Sequence, residues 1–366
     1  MPDRLTRVAG KKAFLSARLH NQKLSATGFK RAADVVRWFG AVQAQDYRAA
    51  KWALALRMQK ATNAAVEDAF NRGEIVRTHL LRPTWHFVAP EDIRWLLQLT
   101  APRIDLRCAS VYRTYELDAP LLKRSNRVLT NALKNGKQLT RTELRAVLKR
   151  AGINADDTIR FTYILLRAEL DGIVCSGPRR GNQFTYALLD ERVPPSKQLT
   201  GDEALAELTR RYFASHGPAT LVDFVWWSGL TTSDGRRGIA LLNRDLERIE
   251  IEDTVYWSSG SISKPSNSFD AHLLPAYDEY NVAYKHRQLV FDQNSTSQIT
   301  NWDALGPTVI IDGRITGTWK GNVGANSITV SMTPSRSLRK QEKLAIAKAA
   351  ERYAAFLELH LHASFE

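Results

Sequence analysis

Cysteine is scarce: Cys108 and Cys175 are the only two in 366 residues, and neither belongs to a CxxC pair or a Cys/His cluster. That usage supplies neither a disulfide framework nor a zinc site and fits a reducing compartment, so a cytoplasmic protein is expected. Long apolar runs are missing too, since no stretch approaches the roughly 18 residues needed to cross a bilayer, and no membrane partner is expected. The opening "MPDRLTRVAGKKAFLSARLH" carries charges throughout and lacks an apolar core, so it does not read as a secretory leader. Walker and Rossmann glycine patterns, a Ser-His-Asp order and His/Cys metal spacing are likewise absent. The expectation is chemistry without cofactor or metal.

What is present is positive charge. Lys+Arg 52 against Asp+Glu 38 gives a net +14 and a pI near 9.8. An excess of this size points to a polyanionic partner, above all nucleic acid, because neutralising phosphates releases counterions; the plain alternative is a merely basic protein. Hydrophobic residues at 44% and charged residues at 25% are ordinary globular values. The length suggests roughly two or three units.

A pattern of helices followed by a strand pair recurs. "GFKRAADVVRWF" has helical apolar spacing with Gly40 as its stop, "RAAKWALALRM" and "NAAVEDAFNRG" read as two more helices, and "EIVRTHL" and "TWHFVA" read as strands joined at Leu81 to Pro83. The order returns in "TRTELRAVLKRAG", with Thr140 and Glu143 as a capping box, in "DDTIRFTYILLRAELDG", and in the strand pair of "IVCSGPRRGNQFTYALL". It returns again in "PATLVDFVWWSGL", a turn at Ser228 and Gly229, "TTSDGRRGIALLNRDLERI" and the strand-like "IEIEDTVYWSS". Two helices across a glycine turn followed by a hairpin make a winged helix. The expected fold is therefore α+β, mainly α, with three tandem winged-helix units over 1–118, 119–195 and 196–366. Residues 264 to 302 read as loop-rich, "TVIIDGRITGTWK" as a hairpin turning at Asp312-Gly313, and "SLRKQEKLAIAKAAERYAAFLELHL" as one long C-terminal helix packed on the third unit.

Basic residues cluster where they can reach DNA. Arg179 and Arg180 sit at a hairpin tip between Gly177 and Gly181, and Arg314 and Lys320 carry a weaker version of that signal. Arg77, His79 and Arg82 lie on or beside strands, with Arg77 and His79 on one face. Arg48 and Lys51, in the helix after "AVQAQ", complete the set of candidate DNA contacts. His86, between Trp85 and Phe87, reads as a core histidine, and Trp226 and Trp227 as core aromatics. Asp278 and Glu279 are an unpromising acid pair, because neighbours on a strand point to opposite faces; an ion pair between units is the better reading.

In "AVQAQ", Gln43 and Gln45 project to the same side if the segment is extended, and their amides offer enough donors and acceptors to hold a water between them. An amide is no general base near neutral pH, so such a pair can act only on an already activated substrate. A guanine alkylated at N7 is one: it is cationic and leaves without protonation, while amide oxygens and an oriented water stabilise the charge developing on the sugar. The plain alternative is a connector that caps helix ends.

"AVQAQDYRAAKWALALR", "VRTHLLRPTWHFV", "HGPATLVDFVWWSGL" and "IIDGRITGTWK" resemble, in order, the hallmark segments of the winged-helix DNA glycosylase family of the AlkZ/YcaQ type, over nearly the whole chain. The resemblance implies three tandem winged helices in a C-shaped molecule that unhooks DNA interstrand crosslinks by excising alkylated guanines. It casts Gln43-Ala44-Gln45 as the catalytic motif of the azinomycin-resistance branch, with Asp46 one position late for the carboxylate of the broader-range branch. The expected protein is a monomeric, monofunctional glycosylase that leaves abasic sites in double-stranded DNA, with no lysine in the motif to form a Schiff base. The rival is a non-catalytic winged-helix regulator, which would read sequence through a recognition helix and dimerise on spaced half-sites.

Overall fold

The computed structural model describes residues 7–8, 10–25, 27–196, 198–242, 244–251, 253–259, 270–292, 300 and 303–365. The chain mixes helices and sheets and divides into two compact units. One comprises Met1–Glu67, Ala206–Trp227 and Thr231–Glu366, the other Asp68–Leu205 and Ser228–Leu230.

The second unit shows how local signals become a fold. Thr140 caps the Arg141–Arg150 helix in the expected box with Glu143, and Asp157 caps Thr158–Leu170 by accepting from the Arg160 N–H. With Ala119–Leu133 these helices bury Leu129, Leu144, Leu148, Phe161 and Ile164 against strands Val174–Ser176 and Thr185–Leu188. Leu139–Thr140 adds a third strand to that sheet. Five such side chains removed from water contribute on the order of 10 kcal/mol before chain entropy opposes them. The hairpin Val76–Leu80 with Thr84–Val88 forms as read. Gly229, between the helices Leu221–Ser228 and Thr232–Leu241, abuts the turn of that hairpin and must be glycine: its φ is +72°, and a Cβ there would lie 2.2 Å from the Leu81 carbonyl oxygen. The 22-residue helix Ile93–Thr114 was not anticipated; its mixed apolar spacing and internal Pro102 hide it from a periodicity reading.

In the first unit the helices Ala32–Phe39 and Tyr47–Ala55 flank the strand Ala41–Gln43. Gly40, at φ +80°, ends the first of them. Thr231 and Asp234 form a capping box on Thr232–Leu241, followed by the antiparallel pair Glu247–Ile251 and Thr254–Ser258. A five-stranded sheet runs in the order Ala271–Leu274, Thr308–Ile311, Arg314–Val323, Ser327–Pro334 and His360–Phe365. Its tight turn is Asp312-Gly313, both at positive φ (+48° and +81°) as a two-residue I′ hairpin demands.

One expectation is corrected here. The C-terminal helix spans Lys340–Leu357 and stops at Glu358 in the left-handed conformation; the residues after it form a strand parallel to Ser327–Pro334. The segment 264 to 302 holds the short strand Ala271–Leu274 and the short helix Glu279–Val282, while 264–269, 293–299 and 301–302 lie outside the described residues. The C-terminal helix packs on the sheet and also on the helix after the glutamines, where the Trp52 ring meets Tyr353 at 4.9 Å and Phe356 at 5.1 Å.

Candidate active site at the Gln43 strand end

The strand ends at Gln43, and residues 45 and 46 form a bend before the next helix, with Asp46 itself still at extended angles. The two glutamines therefore occupy different environments, Gln43 only 7% exposed and Gln45 exposed. Helix capping belongs to neither. Asp46 takes that role, accepting from the Arg48 and Ala49 N–H groups at 3.0 Å each, which commits its carboxylate to backbone. The Oε1 of Gln43 is buried and meets no donor among the described residues. An acceptor stranded in this way costs about 1–3 kcal/mol unless water or a ligand satisfies it.

A buried network holds the strand end. The Gln43 N–H donates to Glu279 Oε1 at 2.7 Å, and the Trp227 indole N–H donates to Glu279 Oε2 at 2.9 Å. His216 Nε2 lies 3.1 Å from the same Oε2. The Ser215 hydroxyl donates to the Arg211 carbonyl at 2.6 Å, so its oxygen accepts from His216 Nδ1–H at 2.8 Å. Burial lowers the His216 pKa, the nearby Glu279 only partly opposing it; Tyr212 stacks on its ring at 4.8 Å and Phe39 meets it edge-on at 5.1 Å.

Asp278 and Glu279 diverge as expected, although they start a short helix instead of lying on a strand. Asp278 caps that helix through the Tyr280 N–H and pairs with Arg57 through two contacts of 2.8 Å. Arg57 spends its remaining donors on the Gln22 carbonyl, the Gln22 side chain and the Ala53 carbonyl, so all five N–H groups are used. This ion pair links stretches expected in the first and third units, 1–118 and 196–366, which here lie within one compact unit. Gln22 in turn donates to the Tyr284 hydroxyl, which donates to the His216 carbonyl at 2.7 Å. The network thus runs from Asp278 to Gln43 without leaving the interior.

The basic candidates separate by exposure. Arg48, Arg180 and Lys320 are exposed, and Arg82, Arg179 and Arg314 are half-buried. Arg180 is anchored to Glu143 and the Gln138 carbonyl, which fixes the turn it stands on. Lys51 is buried, its ammonium 2.6 Å from Glu67. Arg77 lies between the rings of Trp85 (4.2 Å) and Phe184 (4.7 Å), and His79 pairs with buried Glu169. Those three serve packing as they stand. His86 is a core histidine as read, its Nδ1–H donating to the Thr84 carbonyl at 2.9 Å. Trp227 is fully buried as expected, but its tie to Glu279 was missed because nothing local marks a partner 52 residues away. Burial pushes the Cys108 thiol up to about 11 and that of Cys175 up to about 12, so neither is a thiolate nucleophile near neutral pH.

Helix pairs with basic turns, and a buried amide oxygen that meets no donor among the described residues, suit a protein that acts on nucleic acid. The chain belongs to the AlkZ-like DNA glycosylases: the family model described as DNA glycosylase AlkZ-like matches residues 36–356. A Streptomyces sahachiroi protein named interstrand DNA cross-link repair glycosylase is 25% identical over 326 residues, 83% of this chain and 85% of that protein. The solved structure of Streptomyces sahachiroi DNA glycosylase AlkZ shares the fold with a TM-score of 0.77 at 21% identity, covering 98% of this chain and 100% of that one. No helix among the described residues is long and apolar enough to cross a membrane.

Proposed function

We propose that this chain is a monofunctional, metal-independent DNA glycosylase that hydrolyses the N-glycosidic bond of cationic N7-alkylguanine in double-stranded DNA. It unhooks interstrand crosslinks or removes bulky alkyl adducts, leaves abasic sites, and works as a monomer built on three winged-helix repeats. The observation that carries this reading is the buried Gln43 Oε1 without a donor. That atom is an acceptor held ready for a water proton or for the positive charge of the sugar.

In the proposed step the bond between C1′ and N9 breaks and its electron pair passes to the guanine, neutralising the cation. Water adds to C1′ and its proton leaves to solvent. Gln43 orients that water from the buried side and Gln45 from the exposed side, and no carboxylate is needed because the leaving group is already charged. Lys51 is tied to Glu67, which supports hydrolysis over a Schiff-base route with strand cleavage. The name of the Streptomyces sahachiroi relative supports crosslinks as the substrate class.

The test is excision from duplexes carrying N7-methylguanine or a nitrogen-mustard crosslink by the parent, Gln43→Ala and Gln45→Ala. We expect excision by the parent and a loss of roughly tenfold or more in each variant. Parent-level rates in both variants would reduce the tripeptide to a connector. No excision, with tight binding to one unmodified sequence, would favour a regulator.

A further inference from the structure

A buried carboxylate grips the motif's own backbone: Glu279, 236 residues from Gln43 in sequence and 1% exposed. We infer that Glu279 is the positioning residue of this site: by accepting the Gln43 N–H it fixes the strand end from which the catalytic amide projects. The inference rests on the role proposed for Gln43.

The geometry argues for a dedicated brace over incidental packing. Glu279 Oε1 takes the Gln43 N–H at 2.7 Å, the short end of the range for N–H donors. Its other oxygen is braced from two directions, by Trp227 at 2.9 Å and by His216 at 3.1 Å. His216 is fixed through Ser215 to the carbonyl of Arg211 on the Gly201–Ser215 helix. The peptide of Gln43 is thus tied, in three links, to a helix far from it in sequence. Just past this tie the strand ends, and the chain bends at residues 45 and 46. Without the tie, the residue proposed to hold a water to within a fraction of an ångström sits at the end of a three-residue strand with its own N–H deprived of this acceptor. Burial of the Val42 and Ala44 neighbours holds the strand, and Glu279 adds a direct hydrogen bond to the Gln43 N–H at its end.

The contacts also say what each substitution removes. Glu279→Gln keeps a carbonyl oxygen for the Gln43 N–H and can donate to His216 Nε2, while losing the match to the Trp227 indole. Glu279→Ala removes the tie itself. Trp227→Phe keeps an aromatic ring and deletes one brace.

The experiment is single-turnover excision of N7-methylguanine from duplex DNA by the full chain, with DNA affinity measured in parallel, for Glu279→Ala, Glu279→Gln and Trp227→Phe. Each is made with Gln43 intact and in the Gln43→Ala background. With Gln43 intact we expect Glu279→Ala to slow excision roughly 10- to 100-fold with DNA affinity changed less than about threefold, and Glu279→Gln to recover most of that loss. In the Gln43→Ala background the same changes are expected to add less than about twofold, because nothing remains to be positioned. An equal slowing in both backgrounds would overturn the inference, as would a Glu279→Ala enzyme as fast as the parent. Should Glu279→Ala fail to fold, Trp227→Phe and Glu279→Gln decide: a slowing by Trp227→Phe that vanishes in the Gln43→Ala background supports the brace, and parent rates in both overturn it. If Gln43→Ala slows excision but no Glu279 or Trp227 variant does, this inference alone falls. If Gln43→Ala itself excises at the parent rate, the proposed role of Gln43 falls and takes the inference with it.

Discussion

Arg57→Met tests whether the interior beneath the motif is held by charge. In the parent, the guanidinium is 1% exposed, uses all five donors and makes a bidentate pair with Asp278, itself 1% exposed. Methionine fills part of the volume but supplies no donor, leaving Asp278 with the Tyr280 N–H as its remaining hydrogen bond shown here. Breaking one side of a buried pair typically costs 3–5 kcal/mol. The expected destabilisation is therefore about 4 kcal/mol at pH 7. Urea unfolding followed by tryptophan fluorescence measures it. Adding Asp278→Asn to Arg57→Met is expected to restore part of the loss, since a neutral amide replaces a stranded charge. A loss below about 1 kcal/mol for Arg57→Met, or a double variant no more stable than Arg57→Met, would refute the reasoning.

Two further outcomes follow from the same geometry. Burial, with repulsion from Arg352 adding to it, pushes His272 down to about 4 from its ordinary 6.5. Its folded pKa is the lower one, so its contribution to stability is complete above pH 6.5 and is lost as pH falls toward 4; on the order of 3 kcal/mol is at stake, and the slope of unfolding free energy over that window is expected to flatten in His272→Gln. A parent-like slope in the variant would contradict this assignment. Arg48 is an exposed cation in the first turn of a helix, where the helix dipole opposes it. Arg48→Ala is expected to weaken DNA binding several-fold and to reduce the salt slope of log Kd by about one; an unchanged slope would exclude a phosphate contact.

Much of the fold was legible because its signals are local. The capping box at Thr140, the stop at Gly40 and the Asp312-Gly313 turn each act within a few residues, so the sequence states them directly. The last turn of the C-terminal helix misled because "ELHL" satisfies a helical pattern as well as a strand. Pairing with Ser327–Pro334 decides between the two, and that edge lies some thirty residues away. Among the candidate contacts, exposure had to be seen: Arg77 and His79 share a strand face with the spacing of a basic groove, yet that face is covered by Trp85, Phe184 and Glu169.

The sequence by itself determined the chemistry that is available: two neutral amides at one helix entrance, a cationic surface, and segments that mark the family. Only the tertiary structure decided how that entrance is built. It buries Gln43 and exposes Gln45, turns Asp46 to backbone, and brings Glu279, His216 and Trp227 behind the strand end. Hydrogen bonds between residues far apart in sequence leave no periodicity in either segment, and their cost and gain are set by burial, which exists only once the chain has closed on itself.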